Sequence, residues 1–299
     1  MNKLPIAKRA KILNLLCEGS SMRAISRVED VSINTVTKLL VDAGEACIEA
    51  HDRLVRGVKS KRVQIDEIWA FCGAKQKNVS TMKAPISGAG DIWTWTAIDA
   101  DTKLMISYAV GGRDAEYAAG LVDDLASRLA NRVQLTTDGH RPYLQAIEGA
   151  FGCEVDYAML IKLYGAAPEG QRRYSPAECT GIKIEKITGN PDGAHISTSY
   201  VERSNLNIRM HNRRHTRLTN AFSKKAQNHL YAQALYFMFY NFVRIHKTLK
   251  MSPALASGIT DRLWSMEDIV ALIDARAATP KRPVTYRKYE AQEAGGGEG

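Results

Sequence analysis

At Val63 the apolar pattern of this chain changes period, and no other feature restricts its fold as much. Up to about residue 44 apolar residues recur at helical spacing, and from Val63 onward they follow strand spacing. Before the change, Ile6, Ile12, Leu13, Leu15 and Leu16 predict a first helix that stops at Gly19. Ser20 or Ser21 caps a second, with Met22 and Ile25 inward. Ser32 caps a third, with Ile33, Val36, Leu39 and Leu40 on one face and Gly44 as its terminator. Two short helices joined by a tight turn, the second presenting Asn34, Thr35, Thr37 and Lys38, match a helix-turn-helix that would read DNA. A helical cap with no ligand gives the same pattern. Glu45–Asp52 is acidic and helix-forming, and a basic linker with Arg53, Arg56, Lys59, Lys61 and Arg62 follows.

After the change, Val63–Phe71, Ile92–Ile98 and Leu104–Val110 read as strands, the first two separated by a polar loop over 75–91. Ala115–Ala130 reads as a helix, Val133–Thr137 as a fourth strand and Pro142–Phe151 as the next helix. Three strands in meander, then helix, strand and helix, predict an α/β fold with a mixed sheet flanked by helices. The stretch from about 162 to 198 is rich in Gly, Pro and charge with little period, and is expected to be a long loop. A helix is expected from Tyr200 to about His215, a long one capped by Ser223 running to about His246, and a last one over Trp264–Ala275. The basic tail at 281–288 and the glycine-rich end at 295–299 are expected to be disordered.

With 45% hydrophobic and 24% charged residues, the 299-residue chain is globular and long enough for a large core. Its net charge of +9 favours a polyanionic partner. A membrane is the rival, but the most apolar stretch, Leu230–Val243, is too short to span one and closes with His229 and Arg244. Charges in the first nine residues leave no export signal evident. Cys17, Cys47, Cys72, Cys153 and Cys179 are scattered without ligand or framework spacing. They read as free thiols in a reducing cytoplasm, not as a zinc site or disulfides.

Three acids sit where an acid is awkward without a role. Asp66 interrupts an apolar strand, Asp138 closes another before Gly139, and Glu202 opens a helix that then carries almost only positive charge. Each has an ordinary explanation: an edge-strand residue facing solvent, a turn former, and the partner of Ser199 in a capping box. Together they suit a hard divalent cation. If the first and fourth strands are parallel neighbours, Asp66 and Asp138 meet near their carboxyl ends, where open sheets usually place sites. Mg²⁺ takes a few carboxylates plus phosphate oxygens, and two ions about 3.5–4 Å apart serve in-line phosphoryl displacement. Glu67, Asp99, Asp101, Asp114, Asp123 and Asp124 read as turn, cap or exposed-face acids.

Asp66-Glu67-Ile68-Trp69 with Phe71 and Gly73, Trp95–Asp99, Gly112-Arg113-Asp114, Thr137-Asp138-Gly139, and Tyr200–Asn205 with Arg209, Arg213 and Arg214 resemble, in that order, bacterial insertion-sequence transposases with a DDE site, closest to the insertion-sequence-one type. The resemblance covers about 63–250 and implies a ribonuclease-H-like catalytic domain. It implies that Asp66, Asp138 and Glu202 bind two Mg²⁺ ions, with Mn²⁺ as a substitute. It further implies cleavage at element ends and joining of 3′-hydroxyls to target DNA by a homo-oligomer. Relatives often begin with a zinc ribbon, which this chain lacks, so end recognition would fall to the helix-turn-helix and basic surfaces. The organisation expected is 1–52 helix-turn-helix, 53–62 linker, 63–250 catalytic domain and 251–299 helical extension and tail, in a nucleoid-associated bacterial protein. A nuclease that hydrolyses without joining, and a DNA-binding regulator or inactive remnant using only the N-terminal helices, are the alternatives.

Arg203, Arg209, Arg213, Arg214, Arg217, Lys224 and Lys225 lie in a stretch with no acid at all. A solvated face normally mixes signs, so this bias points to DNA phosphates. Asn205, one turn beyond Glu202, reads as a surface amide or as an aid in holding metal or phosphate. Tyr231, Tyr236, Phe237, Phe239, Tyr240 and Phe242 read as core, not as a stacking platform.

Overall fold

A computed structural model describes residues 3–84, 86–165, 178–216 and 219–278. The elements, in chain order, are α1 (Ile6–Cys17), α2 (Met22–Val28), α3 (Ile33–Leu54), β1 (Arg62–Cys72), α4 (Gln76–Val79), β2 (Gly90–Asp99), β3 (Met105–Gly111), α5 (Ala115–Arg128), β4 (Val133–Thr137), α6 (Pro142–Phe151), β5 (Val155–Tyr164), β6 (Cys179–Thr188), α7 (Ser199–His211), α8 (Ala226–Met238), α9 (Pro253–Ala256) and α10 (Met266–Ala278). The strands form one six-stranded mixed sheet in the order β3-β2-β1-β4-β5-β6. β1 pairs antiparallel with β2 and parallel with β4, the neighbourhood expected from the sequence.

The N-terminal helices begin and turn as their caps dictate. The Ser21 hydroxyl accepts from Ala24 N at 3.1 Å and that of Ser32 from Asn34 N at 3.2 Å, each satisfying a donor the first turn leaves open. Between α2 and α3, Asp30 takes φ 46°, the left-handed value a tight interhelical turn requires, and Ser26 Oγ donates to Val31 O at 2.6 Å across it. Gly44 does not end α3, contrary to expectation. The helix runs on through Glu45–Asp52, and Gly44 lies where a Cβ would meet Tyr231 Cβ at 2.3 Å. The glycine is there so that α3 and α8 can approach closely, not to break the helix.

One buried cluster runs from Ile12, Leu13 and Leu40 through Ile65, Leu135 and Val122 to Phe237, Phe242 and Ile269, so α1, α3, α8 and α10 share a core with the sheet. Each such fully buried side chain stabilises by about 1.5–3 kcal/mol. The α8 aromatics are core, as read from the sequence. Beyond Met238 the helix widens into a π-turn over Phe239–Val243, and there Asn241 reaches the edge strand. Its Oδ1 accepts from Met105 N and its Nδ2 donates to Met105 O, both at 2.9 Å, giving an edge backbone the partners a further strand would supply.

Three more expectations need correction. The stretch 162–198 is not all loop: β5 continues to Tyr164 and β6 spans Cys179–Thr188, paired antiparallel, while 166–177 lie outside the described residues. Gly181 and the alternating charges hid the strand, because β6 is an edge exposed on both faces and needs no apolar run. Ser223 caps no helix. Its carbonyl accepts from Gly73 N at 2.7 Å as an extension of β1, its hydroxyl bonds His229 Nδ1 at 2.9 Å, and α8 starts at Ala226. The helix expected to reach His215 stops at His211, and Arg213–His215 form a separate 3-10 turn. The tail beyond 278, including the glycine-rich end, lies outside the described residues. No helix among the described residues is long and apolar enough to cross a membrane. All five cysteines are free, with Cys17, Cys47 and Cys72 buried.

Candidate active site

The register of β1 on β4 brings two acids together. Ile65 pairs with Thr137, the last aligned pair, so the next residue on each strand is an aspartate: Asp66 and Asp138. Asp66 Oδ1 accepts from Glu67 N at 2.9 Å, and its Oδ2 accepts from Asn205 Nδ2 at 2.7 Å. Asp138 Oδ1 accepts from His140 N at 2.9 Å, so it forms the turn and faces the cleft at once.

Glu202 arrives on α7, and β1 itself determines where that helix starts. The buried Gln64 side chain accepts from Tyr200 N at 2.9 Å and Val201 N at 3.1 Å, two donors that a helix start leaves unsatisfied. Asn205 then bonds Asp66, so α7 is fastened to β1 on both sides of Glu202. The capping box expected from Ser199 is absent. Thr198 holds the N-cap position and donates through Oγ1 to Glu202 at 2.6 Å, while Ser199 accepts from Ser197. Lys162 Nζ donates to both Glu202 oxygens, at 2.5 and 2.6 Å.

Asp66, Asp138 and Glu202 line one open cleft of about 630 Å³, with Arg113, Lys162 and Thr198. Oxygens of Asp66, Glu67 and Asp138 lie within 4.8 Å of one another, whereas Glu202 is outside that cluster and turned toward Lys162. Burial, then the negative charges of Glu67, Asp138 and Glu202, push the Asp66 carboxyl up to about 7. Glu67 is no exposed-face acid. It is buried, accepts from Arg113 Nε at 2.7 Å and Tyr143 Oη at 2.9 Å, and Arg113 in turn lies 4.8 Å over the Trp93 ring. Adjacent residues in a strand face opposite ways, which is how Asp66 meets α7 while Glu67 meets α6. Asn205 is likewise buried, not a surface amide, and its Oδ1 has no partner.

These donors fit a hard divalent cation. They are carboxylate and amide oxygens, burial and then the neighbouring negative charges push the Asp66 carboxyl upward, and one buried amide oxygen beside them is unsatisfied. A cation there would offset both the burial and the mutual repulsion of these carboxylates.

The residues expected at DNA are distributed over two helices, a 3-10 turn and the connection before α8. Asn34 and Lys38 are exposed on α3 with Thr35 and Thr37 partly covered, Lys38 pairing with Asp42 at 2.6 Å and Thr37 Oγ1 bonding Ile33 O at 2.9 Å. Arg203 is exposed and Arg209 half-buried on α7. Lys224 and Lys225 are exposed before α8. Arg213 and Arg214 sit in the 3-10 turn, Arg214 donating from Nη1 to Ser223 Oγ at 3.0 Å; burial lowers its guanidinium to about 10, so it stays charged. Arg217 lies outside the described residues. Sequence reasoning missed Gln64, Glu67, Tyr143 and Lys162. Arg113 carried a signal, since it belongs to the Gly112-Arg113-Asp114 motif, but Lys162 fell in the supposed loop and Gln64 is an amide among apolar neighbours.

No protein-family model matches the chain, and no curated protein matches it. Among solved structures it is similar to a piggyBac transposase seen by cryo-electron microscopy in a synaptic complex with hairpin DNA. The TM-score is 0.37 and the identity 10%, over 93% of this chain and 73% of that one. A superposition that loose does not by itself establish a shared fold.

Proposed function

We propose that this protein is a divalent-metal-dependent DNA transposase with a ribonuclease-H-like catalytic domain, which cleaves element ends and joins their 3′-hydroxyls to target DNA. One observation carries the reading: β1 and β4 run parallel in a register that sets Asp66 beside Asp138, in the cleft that also holds Glu202. Asp66, Asp138 and Glu202 would hold Mg²⁺ or Mn²⁺. When bound, such ions stabilise charge on the attacking and leaving oxygens of phosphate displacement.

The chain's own residues do the positioning. Asn205 orients Asp66, Gln64 fixes the start of α7, and Lys162 balances Glu202 until a cation takes that place. Arg113, half-exposed on the cleft wall and steadied by Glu67 and Trp93, directs a cation toward a phosphate there. Water and then a DNA 3′-hydroxyl act as nucleophiles, so no covalent protein intermediate is needed. The helix that bears Glu202 continues through Arg203 and Arg209, which would bring DNA phosphate and acid cleft together. The α2–α3 pair acts as the DNA-reading helix-turn-helix, supported by the left-handed Asp30 turn and the exposed Asn34. Region 53–62 would join it to the catalytic domain at 63–250, and 251–299 forms the extension. Two element ends must be held at once, so a homo-oligomer is expected.

The test is joining of pre-cut, labelled element-end duplexes to a target plasmid with Mg²⁺ or Mn²⁺. Strand-transfer product from the parent and none from D66N, D138N or E202Q is the expected result. Nicked target without joining would reduce the activity to a nuclease. Equal DNA binding by all four proteins with no cleavage by any would leave a regulator or an inactive remnant.

A further inference from the structure

A second cleft lies between the N-terminal helices and the connection from α7 to α8, with a volume of about 720 Å³. Among the described residues its lining contains no aspartate or glutamate, but has four cations, Arg23, Arg213, Arg214 and Lys224. No carboxylate among the described residues forms an ion pair with any of the four. The nearest polar partner of Arg214 is the neutral Ser223 hydroxyl, and Lys224 Nζ stands 3.6 Å over the Phe222 ring. Asn212, a residue only 4% exposed, and Arg213 both contribute to the wall of this cleft, and Asn212 Nδ2 and Arg213 Nε are enclosed in the protein behind it without any acceptor. Buried donors are normally satisfied, and a buried guanidinium cannot shed its charge as a carboxylate can take up a proton. Part of the remaining wall is apolar, formed by Leu16, Ile33, Leu40, Leu235 and the Tyr236 ring, and the rest carries neutral hydroxyls and amides such as Ser20, Thr37 and Asn228.

We propose that this cleft binds one nucleotide unit of a DNA strand, its phosphate received by Arg213, Arg214 and Lys224 and its base set against the apolar part of the wall. Cations that form no ion pair with a carboxylate among the described residues select a phosphate oxygen. An apolar floor next to them selects a group that is anionic at one end and flat and weakly polar at the other. The cleft is formed partly by α2 and α3, so an occupant touches the DNA-reading helices and the Glu202 helix's continuation together. The inference deepens the proposed function, on which it relies only for DNA as the source of the nucleotide.

Isothermal titration of the full chain in EDTA, where no metal-dependent step runs, tests it. Deoxyadenosine monophosphate should bind, with deoxyadenosine and inorganic phosphate each at least tenfold weaker, and a single-stranded hexanucleotide tighter than the mononucleotide. R214Q should lower mononucleotide affinity at least tenfold, and the exposed K224Q, which leaves the buried residues untouched, about threefold. D66N should leave that affinity unchanged. Deoxyadenosine binding as well as its monophosphate, or parental affinity in both R214Q and K224Q, would overturn the proposal. Loss of binding in D66N instead would move the ligand to the acidic cleft. A hexanucleotide weaker than the mononucleotide would overturn DNA as the source. Strand transfer is not read in this titration, so failure here leaves the catalytic reading standing, and loss of strand transfer in D66N does not bear on the cleft.

Discussion

The acidic cleft at the ends of β1 and β4 and the basic cleft between α1–α3 and α8 both gather charge of one sign, and they differ in how that charge is relieved. The acidic cleft answers with protons and with Lys162: Asp66 is pushed up to about 7, and Glu202 takes the lysine ammonium. The basic cleft has no such outlet. Burial lowers Arg214 only to about 10, so it remains charged at neutral pH, and Asn212 and Arg213 keep donors without acceptors. A carboxylate site can therefore stand without its cation, protonated and stable, whereas a guanidinium site carries an unmet demand until an anion arrives. The contrast predicts that the first cleft responds to pH and the second to salt and phosphate.

The largest expected effect breaks the acidic half. On the proposed function, D66N and D138N should lower metal-dependent strand transfer by about 10³-fold or more, because each would remove a charge proposed to hold the cation that stabilises the transition state. Single-turnover joining assays with Mg²⁺ check this, and a loss under tenfold would show that the pair is not the metal site.

The next effect sharpens the contrast in pH. Asp66 has a folded value near 7, above the ordinary carboxylate value of 3.8, so the folded state holds its proton more tightly than the unfolded state does. That contribution is fully present below about pH 4 and is lost as pH rises through 7. Metal-free protein should then lose about 3–4 kcal/mol between these limits from this group alone. D66N should flatten that part of the urea-denaturation pH profile, and Mg²⁺ should restore stability chiefly at the alkaline end.

A smaller effect isolates positioning from charge. Gln64→Leu keeps every carboxylate but leaves Tyr200 N and Val201 N without an acceptor, at about 1–3 kcal/mol for such a buried loss. Denaturation and Mn²⁺ affinity should both fall. Unchanged Mn²⁺ affinity would mean that Glu202 does not depend on the latch. The smallest effect concerns the basic half: K224Q should reduce the slope of log K against log salt for duplex DNA by about one, with little change in melting temperature.

How far the site could be read from the chain depends on how far each residue's role is local. Asp66 and Asp138 were legible because a single acid in or after an apolar strand is visible against its neighbours. Glu202 was legible only as the start of a helix followed by arginines, and its partners were not, since Thr198 and Lys162 join it from a helix cap and from a strand whose pattern is not strand-like. Glu67 was misread because an acid beside Asp66 in a strand gives no sign that Arg113 and Tyr143 will enclose it.

By itself the sequence determined the helical start, the mixed α/β order and the strands from Val63 to Thr137, because period and caps act within a few residues. Only the tertiary structure decided that Gly44 would lie against Tyr231, that β6 would form the sheet's outer edge, and that a cleft without acids among its described residues would open beneath α2 and α3. Those outcomes depend on which surfaces, far apart along the chain, are pressed together, and close approach, burial and the absence of an opposing charge have no local signature.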